Sequence, residues 1–264
     1  MPSFTPRRLL LGSVLALPAL ASDTPEPPAP PAIVPPPPPA PIAAGTGLTE
    51  AQRAEVVEIL RRALREDPTI LRDAISAMQT AEEELRVGAQ RAAIRAQADA
   101  LFRDPADPVL GNPAGRITVV EFFDARCGFC KSFHPTLEEA MRRNRELRVV
   151  MKDLPILGPP SVQAARALLA AQRQNRYAQL LGNLLRMREE VTDASLRRES
   201  DRAGLDWTRL RRDMEDVAIQ RRIETNLALA RTLDIQGTPA IIVGEQLLPG
   251  AVDLRELEAA IAGA

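Results

Sequence analysis

Glu121-Phe-Phe-Asp-Ala-Arg-Cys127-Gly-Phe-Cys130-Lys-Ser-Phe-His134 holds both cysteines and the single histidine of a 264-residue chain. The run Ile117 to Phe123 ahead of the cysteines reads as a central strand buried on both faces, interrupted by Glu121. Behind them Phe133, Leu137, Ala140 and Met141 repeat at helical spacing to about Asn144. The cysteines therefore sit where a strand gives way to a helix. Two intervening residues put both sulfurs on the first helical turn, where unpaired N–H groups and the positive helix end favour a thiolate. Disulfide exchange needs an exposed attacking thiolate and a second thiol close enough to resolve the mixed disulfide. Cys127 is the candidate nucleophile and Cys130 the candidate buried resolving thiol.

Other uses of the pair fit less well. A structural disulfide across a two-residue gap removes little chain entropy. Zinc held by Cys127, Cys130 and His134 lacks a fourth nitrogen or sulfur ligand. Haem attachment needs a histidine directly after the second cysteine, where Lys131 stands. Metal handling through the same cysteines stays as the alternative to redox chemistry; the redox reading implies no cofactor. Glu121 is costly to bury unless partnered, and there it can accept the proton of Cys130. Lys152, alone on the neighbouring strand, is its candidate partner; the opposing reading puts Glu121 at a solvated strand end. His134, one turn beyond Cys130, reads as a helix-face residue outside the catalytic set.

Further along, Arg148 to Lys152 reads as a strand and Pro155 to Pro160 as a turn. From Ser161 to about Leu233 the pattern is helical. Ala164, Ala167, Leu168 and Ala171 mark one helix and Tyr177 to Met187 another. Asp193 and Asp206 are cap candidates for two more, the last carrying Val217, Ile223, Leu227 and Ala230. Strand character returns at Ala240 to Val243 and Gln246 to Leu248, and a final helix starts at Asp253. This order is βαβ, a helical block over about 159–233, then ββα: an α/β sheet with a helical insertion. Gly237-Thr238-Pro239-Ala240 precedes the last strand pair, and a proline there is ordinarily a plain turn.

Cys-x-x-Cys at a helix start, Glu-Phe-Phe-Asp before it, Asp153-Leu-Pro-Ile-Leu-Gly158 after the second strand and Gly-Thr-Pro near the end together resemble the DsbA family of thiol–disulfide oxidoreductases. The likeness covers roughly 107–264. It implies an α/β thioredoxin fold with an inserted all-helical domain, Cys127 and Cys130 as the redox pair, and a cis bond before Pro239. It also implies that Thr238 offers its backbone to a substrate chain, as an added strand would. The implied partners are exported cysteine-containing proteins and a membrane redox partner that resets the dithiol. Gly128-Phe129 stands where the strongly oxidising prototype has Pro-His, and Gly-aromatic with Thr238 is closer to the isomerase DsbC. The expectation shifts from a strong oxidase toward a milder catalyst, with the oxidase, isomerase and reductase directions all open.

Ahead of this domain the chain changes character. Met1 to Ala21 reads as an export signal, with Arg7-Arg8, an apolar stretch from Leu9 to Leu17, and Ala19-Leu-Ala21 as a cleavage site. Export leads to a periplasmic location in which a disulfide persists. Residues 22–47 include the run Pro35 to Pro39 and read as a disordered, extended spacer. Over 48–103 two helices are expected: the first capped by Thr49 with Gln52, the second restarting at Asp67-Pro68 and running to about Phe102. Leu71, Ala74, Met78, Ala81, Leu85, Gly88 and Ala92 form a narrow coiled-coil-like seam too meagre for a lone helix. An oligomerisation arm, similar to that of ScsC-type and Com1-like relatives, is one reading. A helix folded back on its own domain is the other. Formal net charge is −1, and loss of Arg7 and Arg8 leaves −3, so nucleic acid is no expected partner.

Overall fold

The computed structural model describes residues 47–263; the expected export signal and the expected spacer, up to residue 46, lie outside them. In chain order the elements are α1 (Glu50–Glu66), α2 (Thr69–Ala96), a π-helical turn (Asp99–Arg103), β1 (Val109–Gly111), β2 (Ile117–Phe123), α3 (Gly128–Arg143) and β3 (Leu147–Asp153). Five helices follow: α4 (Pro159–Gln172), α5 (Tyr177–Arg186), α6 (Asp193–Arg202), α7 (Trp207–Met214) and α8 (Val217–Thr232). β4 (Ala240–Val243), β5 (Gln246–Pro249) and α9 (Leu254–Ala262) complete the chain.

The sheet has the order β1-β3-β2-β4-β5. β2 runs parallel to β3 and antiparallel to β4, which makes β2 the central strand. Its side chains alternate between two cores, as a pleated strand requires. Val119 and Phe123 join Val149, Met151, Ile241 and the inner faces of α3 and α9. Val120 and Phe122 join Val150, Ile242, the end of α2 and the end of α8. Replacing either phenylalanine by alanine would cost about 3–5 kcal/mol. This is the thioredoxin-type sheet expected from the sequence, with α4 to α8 inserted between β3 and β4.

Several local expectations needed correction. The segment 104–115, for which no strand was expected, contains the edge strand β1, whose Val109 lies opposite Val150. Three residues are too few to show a period. Thr192, not Asp193, caps α6: its side chain accepts from the backbone N–H of Ser195, whose hydroxyl accepts from the N–H of Thr192. The stretch read as one helix after Asp206 is two. Asp206 caps α7, and Asp216 caps α8 by accepting from Ala218 N.

The N-terminal helices differ in how they are held. α1 belongs to one unit, ending at Glu66, and the unit beginning at Asp67 carries everything else. Thr49 caps α1 as expected, exchanging hydrogen bonds with Gln52 at 2.8 and 3.3 Å. Val56, Val57, Ile59, Leu60 and Leu64 on α1 are exposed. α2 stops at Ala96, short of the expected Phe102, and passes into the π-helical turn. Its early residues Ile70, Leu71, Ile75, Met78 and Leu85 are exposed, whereas Ile94 and Leu101 are buried under the sheet. The boundary near residue 104 is therefore too late, because the sheet takes its covering from both α8 and the end of α2.

Candidate active site

The end of β2 and the start of α3 present the cysteines. Cys127 is the N-cap of α3 in an extended conformation, with φ −65° and ψ 124°. Its backbone N–H donates to Asp124 O at 2.9 Å, a turn that lifts the chain off the sheet. Cys127 is 8% exposed and Cys130 1%, so both are buried and the second is the deeper of the two. Phe129 between them is 69% exposed.

Opposite Cys127 stands the loop before β4. The Thr238–Pro239 peptide is cis, and the Cys127 thiol donates to the Thr238 carbonyl over 3.2 Å. Residues 111 positions apart thus meet at one sulfur. The carbonyl of Pro239 in turn accepts from Gly250 N at 2.9 Å, which ties the loop to the end of β5.

Asp124 organises the other side, and sequence reasoning assigned it no role. Its buried carboxylate accepts from Arg126 N at 2.8 Å and Ser161 Oγ at 2.9 Å through one oxygen. Through the other it accepts from Ile156 N at 3.0 Å and Leu157 N at 3.1 Å. The cysteine turn and the β3–α4 loop are therefore held by one side chain. Arg126 adds a bond from Nη1 to Leu157 O at 2.8 Å and an ion pair with Glu190 at 3.0 Å. Lys131 Nζ donates to Met187 O at 2.7 Å. The signal available in the sequence was Asp two residues before Arg126 at a strand end, the pattern of an Asx turn.

Glu121 is buried, 3% exposed, which removes the solvated reading. It lies opposite Met151 on one side and Ile241 on the other, on the face covered by α3. Burial alone raises its pKa to about 8, with no cation offsetting it. Cys130 is pushed up chiefly by burial and further by the charges of Glu121 and Cys127. A carboxyl titrating near neutrality and coupled to a buried thiol can exchange a proton with it.

Lys152 does not partner Glu121. It stands opposite Phe122, one residue out of phase, and so points to the other face of the sheet. There Nζ donates to Ala100 O at 2.6 Å and pairs with Asp107. Arg222 of α8 grips Asp104 at 2.6 and 3.1 Å and reaches Asp107 at 3.2 Å. Burial pushes Asp107 up and Lys152 down, outweighing their mutual attraction. The cluster pins the segment after α2 to the sheet. A second buried acid, Asp153, accepts from Tyr177 OH at 3.0 Å and is raised to about 8 by burial.

His134 is buried, with Nδ1 unpartnered and Nε2 3.3 Å from Glu138 Oε1. Desolvation, its largest influence, lowers its pKa against the opposing pull of Glu138. Among the described residues no group of three or more His, Cys, Asp or Glu is arranged to hold a metal ion, so the metal reading gains nothing from the geometry. No helix among them is long and apolar enough to cross a membrane.

Residues 118–262 match the model of the DSBA-like thioredoxin domain. The chain is similar to a thioredoxin-like oxidoreductase from Silicibacter pomeroyi, with 38% identity and TM-score 0.61, covering 62% of this chain and 95% of that one. It is also similar to a linker-deleted variant of Proteus mirabilis ScsC, with 29% identity and TM-score 0.63, covering 83% and 98%. A curated relative is the Na(+)/H(+) antiporter NhaA 3 of Salinispora tropica, 30% identical over 166 residues, 61% of this chain. The chain spans about a quarter of such antiporter relatives, 26% of this one.

Proposed function

The chain belongs to the DSBA-like thioredoxin domain family, and on that premise we propose that it is an exported, periplasmic thiol–disulfide oxidoreductase acting on proteins through Cys127 and Cys130. The observation that carries the reading is the Cys127 sulfur 3.2 Å from Thr238 O, beside a cis-proline and in front of a buried second thiol. Cys127 is the less buried thiol and borders Thr238, while Cys130 lies deeper, which supports an attacking role for the first and a resolving role for the second.

In the oxidising direction a client thiolate attacks Cys127 of the Cys127–Cys130 disulfide. The S–S bond breaks, a mixed disulfide forms, and Cys130 leaves as a thiolate that takes a proton from Glu121. A second client thiolate then attacks the client sulfur and Cys127 departs. Two electrons and two protons have moved from the client to the protein's dithiol, and a membrane redox partner removes them. In the isomerising direction the Cys127 thiolate opens a client disulfide, another client thiolate displaces it, and no net electrons move. Cys130 then serves to release stalled adducts, with Glu121 taking its proton.

Gly128-Phe129 and Thr238 favour the isomerising direction, and self-association through 48–103 suits it by hindering oxidase partners. The exposed apolar residues on α1 and on the first half of α2 support such association. The test compares recovery of a scrambled, multiply bridged protein with oxidation of a reduced peptide. Faster recovery supports isomerisation, and inactivity in both with an intact fold overturns the proposal. Light scattering on the mature chain tests association, and a monomer refutes it.

A further inference from the structure

A cleft of about 250 Å³ lies across the cis-proline loop from Cys127. Gly237, Thr238, Pro239 and Ala240 form one wall and Arg86 and Gln90 of α2 another, with Ile235, Leu247 and Pro249 also lining it. Thr238 is shared: its carbonyl meets the Cys127 thiol at 3.2 Å, and the same residue lines the cleft. The α2 wall is fixed in place by Arg95, which pairs with Glu245 at 2.6 Å, and by burial of Ile94 beneath the sheet.

Ile235 and Leu247 are partly buried residues packed on the core that holds Val120, Phe122 and Ile242, so the cleft opens onto apolar surface. Its charged groups balance. Arg86 is held by Glu83 at 2.7 Å, and Asp234 accepts from Gln236 Nε2. Nothing in that lining selects a charged ligand. The volume falls below the roughly 300–1,000 Å³ of clefts that take drug-sized molecules and suits a single large side chain.

From this we infer that the cleft is a specificity subsite for the client polypeptide, taking one large aliphatic or aromatic side chain close to the cysteine that Cys127 engages. The inference rests on the oxidoreductase reading, since the occupant is defined by its tether to Cys127. An extended chain advances about 3.3–3.6 Å per residue, so a client whose cysteine meets Cys127 beside Thr238 brings a residue about two positions away to the cleft mouth. α2 thereby becomes part of the substrate-binding surface, and a domain cut away from α2 has no such subsite.

The experiment measures kcat/KM for disulfide exchange with cysteine peptides carrying Gly, Ala, Leu or Phe one to three residues either side of the cysteine. The intact chain is compared with Leu247→Glu and Gln90→Trp, which charge or fill the cleft from separate elements. The expected result is a gain of about tenfold from Gly to Phe at one of those positions, reduced to less than about threefold in both variants. All three proteins should exchange at one rate with a small dithiol that cannot reach the cleft. Equal rates for Gly and Phe peptides in the intact chain, or preserved preference in both variants, overturn the subsite. Absence of exchange even with the small dithiol overturns the oxidoreductase reading itself, which separates the two failures.

Discussion

Glu121→Gln should remove a loss of stability that grows with pH and lower activity, a signature that isolates one carboxyl. The folded-state pKa lies near 8 against an ordinary value of 4.5. Between those values the folded protein holds a proton that the unfolded chain has lost, so stability falls as pH rises. The contribution is intact below about 4.5 and is lost progressively as pH climbs through about 8. Each pH unit in that window removes about 1.4 kcal/mol. The accumulated loss is about 3 kcal/mol at pH 7 and about 5 kcal/mol above pH 8. Glutamine has the same shape and no charge, so it abolishes the slope. How its amide is satisfied changes only a constant offset. Asp153 also titrates near 8, but it is present in both proteins and cancels in the difference. The assay is urea unfolding of both proteins at intervals from about pH 4.5 to 9. The stability difference, Gln minus Glu, should rise by several kcal/mol with pH. A flat difference refutes the buried, unpaired carboxyl. In parallel, the step that moves the proton of Cys130 should slow by about 10²-fold, while alkylation of Cys127 keeps its rate.

Asp107→Asn should cost about 3–5 kcal/mol in chemical denaturation, because it leaves the Lys152 ammonium buried without its counter-charge. The double variant Asp107→Leu, Lys152→Met should recover most of that loss, and an equally unstable double variant contradicts the ion-pair account. Asp124→Ala frees the N–H groups of Ile156 and Leu157 together with Arg126 and Ser161. Exchange with peptides should fall by tenfold or more, at roughly 2 kcal/mol per lost charged hydrogen bond, and unchanged kinetics removes Asp124 from the site's support.

The sheet and the sulfurs were legible because their signals are local or paired. A strand of large apolar residues, a Cys-x-x-Cys at a helix start and a Thr-Pro before a strand each read on their own terms. Glu121 was visible as a charge inside an apolar run, yet its partner was misjudged. Strand register decides that question, and Lys152 sits opposite Phe122, one residue out of phase with Glu121. Asp107 and Arg222 are 115 positions apart, and no periodicity connects them. The end of α2 looked like arm because its seam consists of small residues. Only the sheet shows that Ile94 and Leu101 are core.

The central claim is that Cys127 attacks and Cys130 resolves. The direct measurement is mass spectrometry of the Cys130→Ser variant after reaction with a peptide disulfide. The account gives a stable mixed disulfide mapped to Cys127 and none in the Cys127→Ser variant. An adduct carried by Cys130 when Cys127 is absent, formed at the same rate, would contradict it.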